Sequence, residues 1–361
     1  MEKNTETGVV IVSLNGRKHL ERLMPSLLAQ RRQPDHIVVP NNIVVIDNGS
    51  CDGTVDWLSK NHPMVHIIAF ENNLGFALPN NYGISYLCKN PDIKYIACIN
   101  NDTVLPDDFF SRLISFAEQQ DGMIGAIQTK IVSYDFPSII DSVGITINHD
   151  MSAINEGQGE YDKGQFEVPG EIFGATASAV IYTRKALDAL RQSHGEYFDA
   201  DYFAYQEDVD LAFRMRLLGY CAWYVPGRPV LHVHSATGEN HSPFKSYHIH
   251  RNTLYTLVKN MPGILLLSGM FHFLKKYGAL LGSLSKKQGP SYELSKKAGI
   301  SGMVGIVFKA WFVFILHLPS LLAKRRRIQK TKKTSIAHAK EWFADYRADL
   351  KKIAYGIRPS R

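Results

Sequence analysis

Apolar residues fall in short runs through the first hundred positions and in long runs near the end of the chain. Val9–Leu14, Ile43–Asp47, His66–Phe70 and Tyr95–Ile99 have strand length. Between them, Arg17–Gln30, Thr54–Lys60 and Ala77–Lys89 carry helical patterns. Strands alternating with helices predict βαβ units and a mainly parallel sheet. Right-handed crossovers place every strand C-terminus on one edge, where open α/β sheets bind ligands. Residues 133–170, rich in Gly, Asp, Asn and Ser, are expected to be a loop or hairpin excursion. Thr183–Gln192 and Glu207–Leu218 are predicted helices, the second stopped by Gly219. Val230–His234 is a predicted strand running into Ser235-Ala236-Thr237-Gly238.

The strands on the predicted edge all lead into polar turns: Asn15-Gly16, Asn48-Gly49-Ser50, Glu71-Asn72-Asn73 and Asn100-Asn101-Asp102. One such turn is ordinary turn chemistry; four in register indicate a site. In the last of them a carboxylate and its amide neighbours end a strand, a setting that holds a hard divalent cation through oxygen. A plain turn capping the next helix explains those three residues equally well. Pro106 is expected to open that helix, with Asp107 and Asp108 in its first turn. Downstream, an aromatic run delivers Glu207 and Asp208 to a helix N-terminus, where the dipole lowers a carboxylate pKa and crowding raises it. That balance suits a general base, though solvated helix-capping acids are the bland alternative. Asp210 and Arg214 are expected to form an i,i+4 surface pair of small value. His232 and His234 share a strand face and offer imidazole to a divalent metal.

Charge changes the picture of the C-terminal part. Residues 1–260 carry 21 Lys+Arg and 30 Asp+Glu, a net of −9, and residues 261–361 carry 20 and 4, a net of +16. An acidic body with a basic tail predicts a division at residue 260 and an anionic partner for the tail. Gly263–Leu284 and Gly299–Leu322 are apolar, and Lys324-Arg325-Arg326-Arg327 follows. Lys309, His317 and Pro319 argue against a clean span. The combination favours helices lying in an anionic membrane interface over a soluble helical subdomain, and over nucleic acid as the partner. Cys51, Cys88, Cys98 and Cys221 lack metal-site or redox spacing and read as reduced thiols of a cytosolic protein. A dinucleotide-binding oxidoreductase would need Gly-x-Gly-x-x-Gly after the first strand, where Ser13-Leu-Asn-Gly-Arg-Lys stands instead.

Seven segments in order resemble family 2 glycosyltransferases of the GT-A fold, particularly the bacterial rhamnosyltransferase-like branch. They are VSLNG (12–16), VVIDNGSCDGT (44–54), ENNLGFALPNNYGI (71–84), INNDTVLPDDF (99–109), IFGATASAVIYTR (172–184), YFAYQEDVDLAFRMRLLGY (202–220) and HVHSATG (232–238). The resemblance implies a mixed, mainly parallel central sheet over 1–260 with a C-terminal helical extension. It implies inverting transfer of a sugar, rhamnose first, from a dTDP- or UDP-linked donor to a hydroxyl of a cell-surface glycan; the basic, apolar C-terminus adds, from charge and apolarity, the expectation of a polyprenyl-linked acceptor. By the same resemblance, Asn15 and Asp47 would contact the nucleotide, and Asn73, Gly75 and Asn80 would line the donor pocket. Asn100, Asn101 and Asp102 would stand for the Asp-x-Asp motif. Asp102 and His232 would hold Mg²⁺ or Mn²⁺; Asp208 would be the base, supported by Glu207. The enzyme would sit at the inner face of the plasma membrane. A non-catalytic binding relative would be expected to lack the acidic pair or the Asn-Asn-Asp cluster, and both are present. Two departures stand out: Asn100 is neutral, and Arg31–Asn42 is longer than this connection usually is.

Overall fold

The computed structural model describes residues 6–30, 42–120, 122–233, 242–348 and 353. His234, Ser235–Gly238 and all but the last residue of the long Arg31–Asn42 connection lie outside the described residues. The first half follows the expected alternation: β1 (Thr7–Ser13), α1 (Arg17–Leu28), β2 (Ile43–Asp47), α2 (Thr54–Asn61), β3 (His66–Ala69), α3 (Ala77–Leu87) and β4 (Tyr95–Asn100). Strands β1, β2 and β4 are almost wholly buried, which is why their sequences are continuous apolar runs and not alternating ones.

After β4 the chain forms β5 (Thr103–Val104), α4 (Phe109–Glu118) and β6 (Ile124–Gln128). Asp107 and Asp108 therefore precede α4 instead of occupying its first turn. Asp108 is the N-cap position without a side-chain cap bond and pairs with Arg112 at 3.1 Å. Asp107 pairs with Arg228 at 2.9 Å. The segment expected to be irregular is a set of short strands: β7 (Ile131–Ser133), β8 (Ile140–Ser142), β9 (Ile145–Ile147), β10 (Ala153–Asn155) and β11 (Gly170–Ile172). Its glycines and Asx residues make the turns between strands too short for a periodic signal. The chain continues through β12 (Ala179–Thr183), α5 (Arg184–His194), α6 (Glu207–Leu217), β13 (Cys221–Tyr224) and β14 (Val230–His232).

Eight strands form one sheet in the order β11-β13-β6-β12-β4-β1-β2-β3. β1, β2, β3 and β4 pair in parallel, β12 runs antiparallel between β4 and β6, and β6 pairs in parallel with β13. The chain winds outward from β1 to β3 and returns to β4 on the other side of β1. The crevice at the ends of β1 and β4 is therefore a topological switch point, where such sheets place ligands. A second sheet, β5-β14-β7-β8, stands beside it.

Among the described residues four helices follow: α7 (Pro243–Asn260), α8 (Leu265–Ser285), α9 (Gly289–Thr331, kinked at Gly299) and α10 (Ile336–Asp345). They do not pack as a separate body. Leu254, Leu257, Phe314, Leu321, Trp342 and Phe343 share one core with Phe173 and Phe213.

At the centre of this packing lies a buried cluster of charge. Asp210 is fully buried and meets Arg214 at 2.8 Å, Lys259 at 2.8 Å and the Asn260 amide at 2.8 Å. Lys259 also reaches Asp199, which is paired in turn with Lys324 of α9. The expected surface pair of Asp210 and Arg214 is thus an interior one. Helix α6 is buried on every side, so its charged residues have no solvent face to occupy. The cations overcome the burial that would otherwise raise the Asp210 carboxyl, and hold its pKa below the usual range. Asp210→Asn is expected to cost about 3–5 kcal/mol, since it leaves buried cations uncompensated. Urea unfolding checks this, and a loss below about 1 kcal/mol would show the pair to be effectively solvated.

Candidate active site

Each strand end at the switch point carries one of the polar turns. Asn15 takes a left-handed conformation (φ 49°), which Asn tolerates better than most residues. Its amide oxygen accepts from Cys51 N at 2.8 Å and its N–H donates to Ser50 Oγ at 2.8 Å, joining the ends of β1 and β2. Asp47 accepts from Ser50 N through one oxygen at 3.0 Å. Its other oxygen is buried without a hydrogen-bond partner, an acceptor left for a ligand N–H or hydroxyl. Asn73 bonds Gly75 N and Asn48, each within 2.9 Å, and so shapes the loop before α3. Gly75 (φ 82°) faces the backbone of Phe203, where a Cβ would come within 2.4 Å of the carbonyl oxygen. Asn80 is buried and donates to Phe76 O in its own helix. Asn101 reaches back to Ser13 Oγ at 3.0 Å, over Gly16. Asn100 N donates to Ser178 O at 2.8 Å, next to β12.

The second sheet assembles the metal-ligand candidates. β14 pairs with β5, opposing His232 to Thr103, and Val233 N donates to Asp102 O at 2.8 Å. His232 Nε2 consequently lies 3.2 Å from Asp102 Oδ1. Two ligands at right angles about a cation, each roughly 2.1 Å from it, stand about 3 Å apart, so this pair fits adjacent positions on Mg²⁺ or Mn²⁺. His232 Nδ1 contacts Asp141 Oδ2 at 2.8 Å, the outer-shell arrangement that orients a metal-bound imidazole. Burial alone would depress the imidazolium, but the hydrogen bonds to Asp102 and Asp141 outweigh it and push its pKa up to about 10. A cation would take the place of that proton. No group of three or more metal-binding side chains occurs among the described residues, which leaves further positions for donor oxygens and water.

Helix α6 begins with the acidic pair. Burial raises the Glu207 carboxyl far above its ordinary value, the charge of Asp208 adds to this, and one Glu207 oxygen has no partner. Burial also raises Asp208, but Val209 N–H at 2.8 Å and Ala177 N–H at 3.4 Å pull it back. Glu207 is thus the more strongly raised of the two, and Asp208 the one held by backbone donors. Ala177 precedes Ser178, the residue bonded to Asn100, so one short segment ties Asp208 to the turn at the end of β4.

The loop delivering this pair is strained. Phe203, Tyr205 and Gln206 all have positive φ, at 62°, 67° and 69°, each costing roughly 1–3 kcal/mol. Asn252 of α7 holds it there: its amide nitrogen lies 3.0, 2.9 and 2.7 Å from the carbonyls of Tyr202, Ala204 and Tyr205. Arg251 donates to Asp201 O and Tyr202 O and also braces Asn252. Sequence reasoning missed Asn252, Arg251 and Asp141. Asp141 carried a faint signal as a lone acid in the apolar run Ile139–Val143, whereas Arg251-Asn252 sits in a helix whose partner loop cannot be read from spacing.

The family model for glycosyl transferase family 2 matches residues 8–191. The chain is 27% identical over 264 residues to N-acetylglucosaminyl-diphospho-decaprenol L-rhamnosyltransferase of Mycobacterium tuberculosis, covering 68% of this chain and 82% of that one. Among solved structures it resembles GalNAc-T7 with UDP, GalNAc and Mn²⁺ (TM-score 0.55, 12% identity, 82% of this chain and 55% of that one). It also resembles S. aureus TarS 1–349 with UDP-GlcNAc (TM-score 0.51, 14% identity, 93% and 92%). Both likenesses concern the fold. With a mixed sheet whose switch point gathers Asp47, Asp102 and the turn of Asn100, this chain belongs to glycosyltransferase family 2 and is a glycosyltransferase of the GT-A fold.

Proposed function

We propose that the enzyme transfers a deoxyhexose, rhamnose first, from a dTDP- or UDP-linked donor to a hydroxyl of a lipid-linked glycan, with inversion. The placement of Asp208 at the start of α6, bonded to Val209 N–H and Ala177 N–H beside the turn of Asn100, carries this reading. A relative whose name specifies rhamnosyl transfer to a diphospho-decaprenol-linked sugar supports it.

Asp47 would receive a hydrogen bond from the nucleotide at its open oxygen, within the loops shaped by Asn15, Asn73 and Gly75. Asn80 supports that loop from inside α3. Asp102 and His232 would hold the divalent cation, which when bound neutralises charge developing on the leaving diphosphate. Asn100 lowers the charge available there, so donor oxygens complete the site. Asp208 takes the proton of the acceptor hydroxyl as that oxygen attacks the anomeric carbon from the face opposite the diphosphate. Glu207, neutral beside it, adds no second negative charge.

The C-terminal helices support a location on an anionic membrane surface, at its cytoplasmic face. Val304, Phe308, Phe312 and Ile315 form an exposed apolar stripe on α9, and Leu267, Phe271, Leu274 and Leu281 form another on α8. Helix α9 is long and apolar enough to cross a membrane, yet it packs along α7 through Ala310, Phe314 and Leu321. Two residues of the basic run turn inward, Lys324 to Asp199 and Arg325 to the carbonyls of Val258 and Met261. Interfacial binding therefore rests on the apolar stripes and the lysines around them.

Asp208→Asn should lower transfer by about 10²–10⁴-fold while donor binding persists; transfer at the wild-type rate would remove Asp208 as the base. A buried acid with a raised pKa costs stability as pH rises through that pKa, so the same variant should gain thermal stability at pH 8 relative to pH 4. In the wild type, kcat should fall with decreasing pH at a value above that of an exposed aspartate. Asn252→Ala should lower kcat by about 10²-fold with donor KM nearly unchanged. Thr253→Ala, equally buried but bonded only to its own helix at Ile249 O, should stay near wild type. Equal losses in both would reduce Asn252 to general packing. The full chain should float with liposomes containing anionic lipid, and Phe308→Asp with Phe312→Asp should abolish flotation. Sedimentation of both proteins free of lipid would sink the membrane reading.

A further inference from the structure

One surface beside the acidic pair remains unexplained by donor binding. The strained loop seats the Phe203 ring between Gly75 and the first two turns of α7. There its ring stacks on His248 (5.5 Å) and meets Phe244 edge-on (6.2 Å), and Tyr247 abuts His248 at 5.0 Å. Phe244 is 47% exposed, and His248 Nδ1 is buried with no hydrogen-bond partner. The result is an aromatic ledge that is open on one side and has an unsatisfied polar atom in its floor.

A lysine stands at each end of the ledge. Lys245 Nζ lies 5.4 Å above the Tyr205 ring, close enough to Asp141 to feel its charge, so this end adjoins the Asp102–His232 pair. Lys309 of α9 lies 4.9 Å above the Tyr247 ring. Neither ammonium has a carboxylate partner among the described residues. Helices α7 and α9 run in the same direction, since Tyr247 meets Lys309, Tyr255 meets Phe314 and His317, and Val258 O meets Arg325. The exposed Val304 and Phe308 of α9 therefore lie at the ledge end of the α7–α9 pair.

The order along the surface is then base, aromatic ring, free cation, apolar stripe. A ligand complementary to that order has a sugar, a diphosphate and a long hydrocarbon chain, in that sequence. We propose that this ledge is the acceptor seat. The acceptor sugar stacks on the exposed Phe244 ring, which Phe203 backs edge-on, its diphosphate is neutralised by Lys309, and its lipid leaves along α9. The assignment rests on the transferase reading above and adds where and how the acceptor is held.

The test uses the full chain in detergent, with farnesyl-diphospho-N-acetylglucosamine as the charged probe and octyl N-acetylglucosaminide as its uncharged counterpart. Lys309→Ala should raise KM and Kd for the diphosphate probe about tenfold, the loss of one charge-assisted contact. It should leave KM for the octyl glycoside, donor KM and slow donor hydrolysis unchanged. Phe244→Ala should raise KM for both acceptors and leave the donor constants alone. Acceptor constants within twofold of wild type in both variants, or a rise in donor KM, would overturn the ledge. Tight probe binding that depends on Lys309, with no sugar transferred by the wild type, would instead sink the proposed reaction and leave the ledge standing.

Discussion

The interior charge cluster around Asp210 is the constraint on which the rest of the site depends. An aspartate at that depth is tolerable only with cations against it, and those cations come from three elements. Arg214 belongs to the same helix, Lys259 to the end of α7, and Lys324 joins through Asp199 from α9. Satisfying that one carboxylate fixes α6 against α7. Once α7 is fixed, Asn252 faces the loop before Glu207, and Phe203 presses on Gly75. The geometry of the acidic pair is therefore set by residues of other elements behind it.

A second dependence runs through the small sheet. Two-residue β5 is stable only because β14 pairs with it, and that pairing brings His232 to Asp102. β14 is held in turn by β7 and β8, the latter contributing Asp141 behind the imidazole. The Asp102–His232 contact and Asp141 behind it thus arise from backbone pairing among strands of two or three residues. Such strands are too short to show periodicity, which explains why this region looked irregular in sequence.

The parallel half of the sheet, the helices between its strands and the polar turns at its edge were legible because buried strands read as continuous apolar runs ending in Asn-rich turns. Glu207 and Asp208 were legible as an acidic pair opening a helix, but the backbone donors that hold Asp208 were not. They are Val209 N–H and Ala177 N–H, one of them contributed from across the fold. Asp210 and Arg214 were misplaced at the surface because four-residue spacing says nothing about which side of a helix is covered. The basic run at 324–327 was read together as part of a membrane-interface pattern, and Lys324 and Arg325 turn inward.

The reach of Lys324 has a consequence for the order of synthesis. Its partner Asp199 is made 125 residues earlier, and Lys259 follows Asp199 by 60. Until both lysines have left the ribosome, Asp199 lacks its counter-charges and Asp210 has only Arg214. The N-terminal strands can pair by then, but the buried cluster around α6 is incomplete. It is completed only once α8 and most of α9 have emerged, so the packing behind the acidic pair and the exposed apolar stripes of those helices are made together.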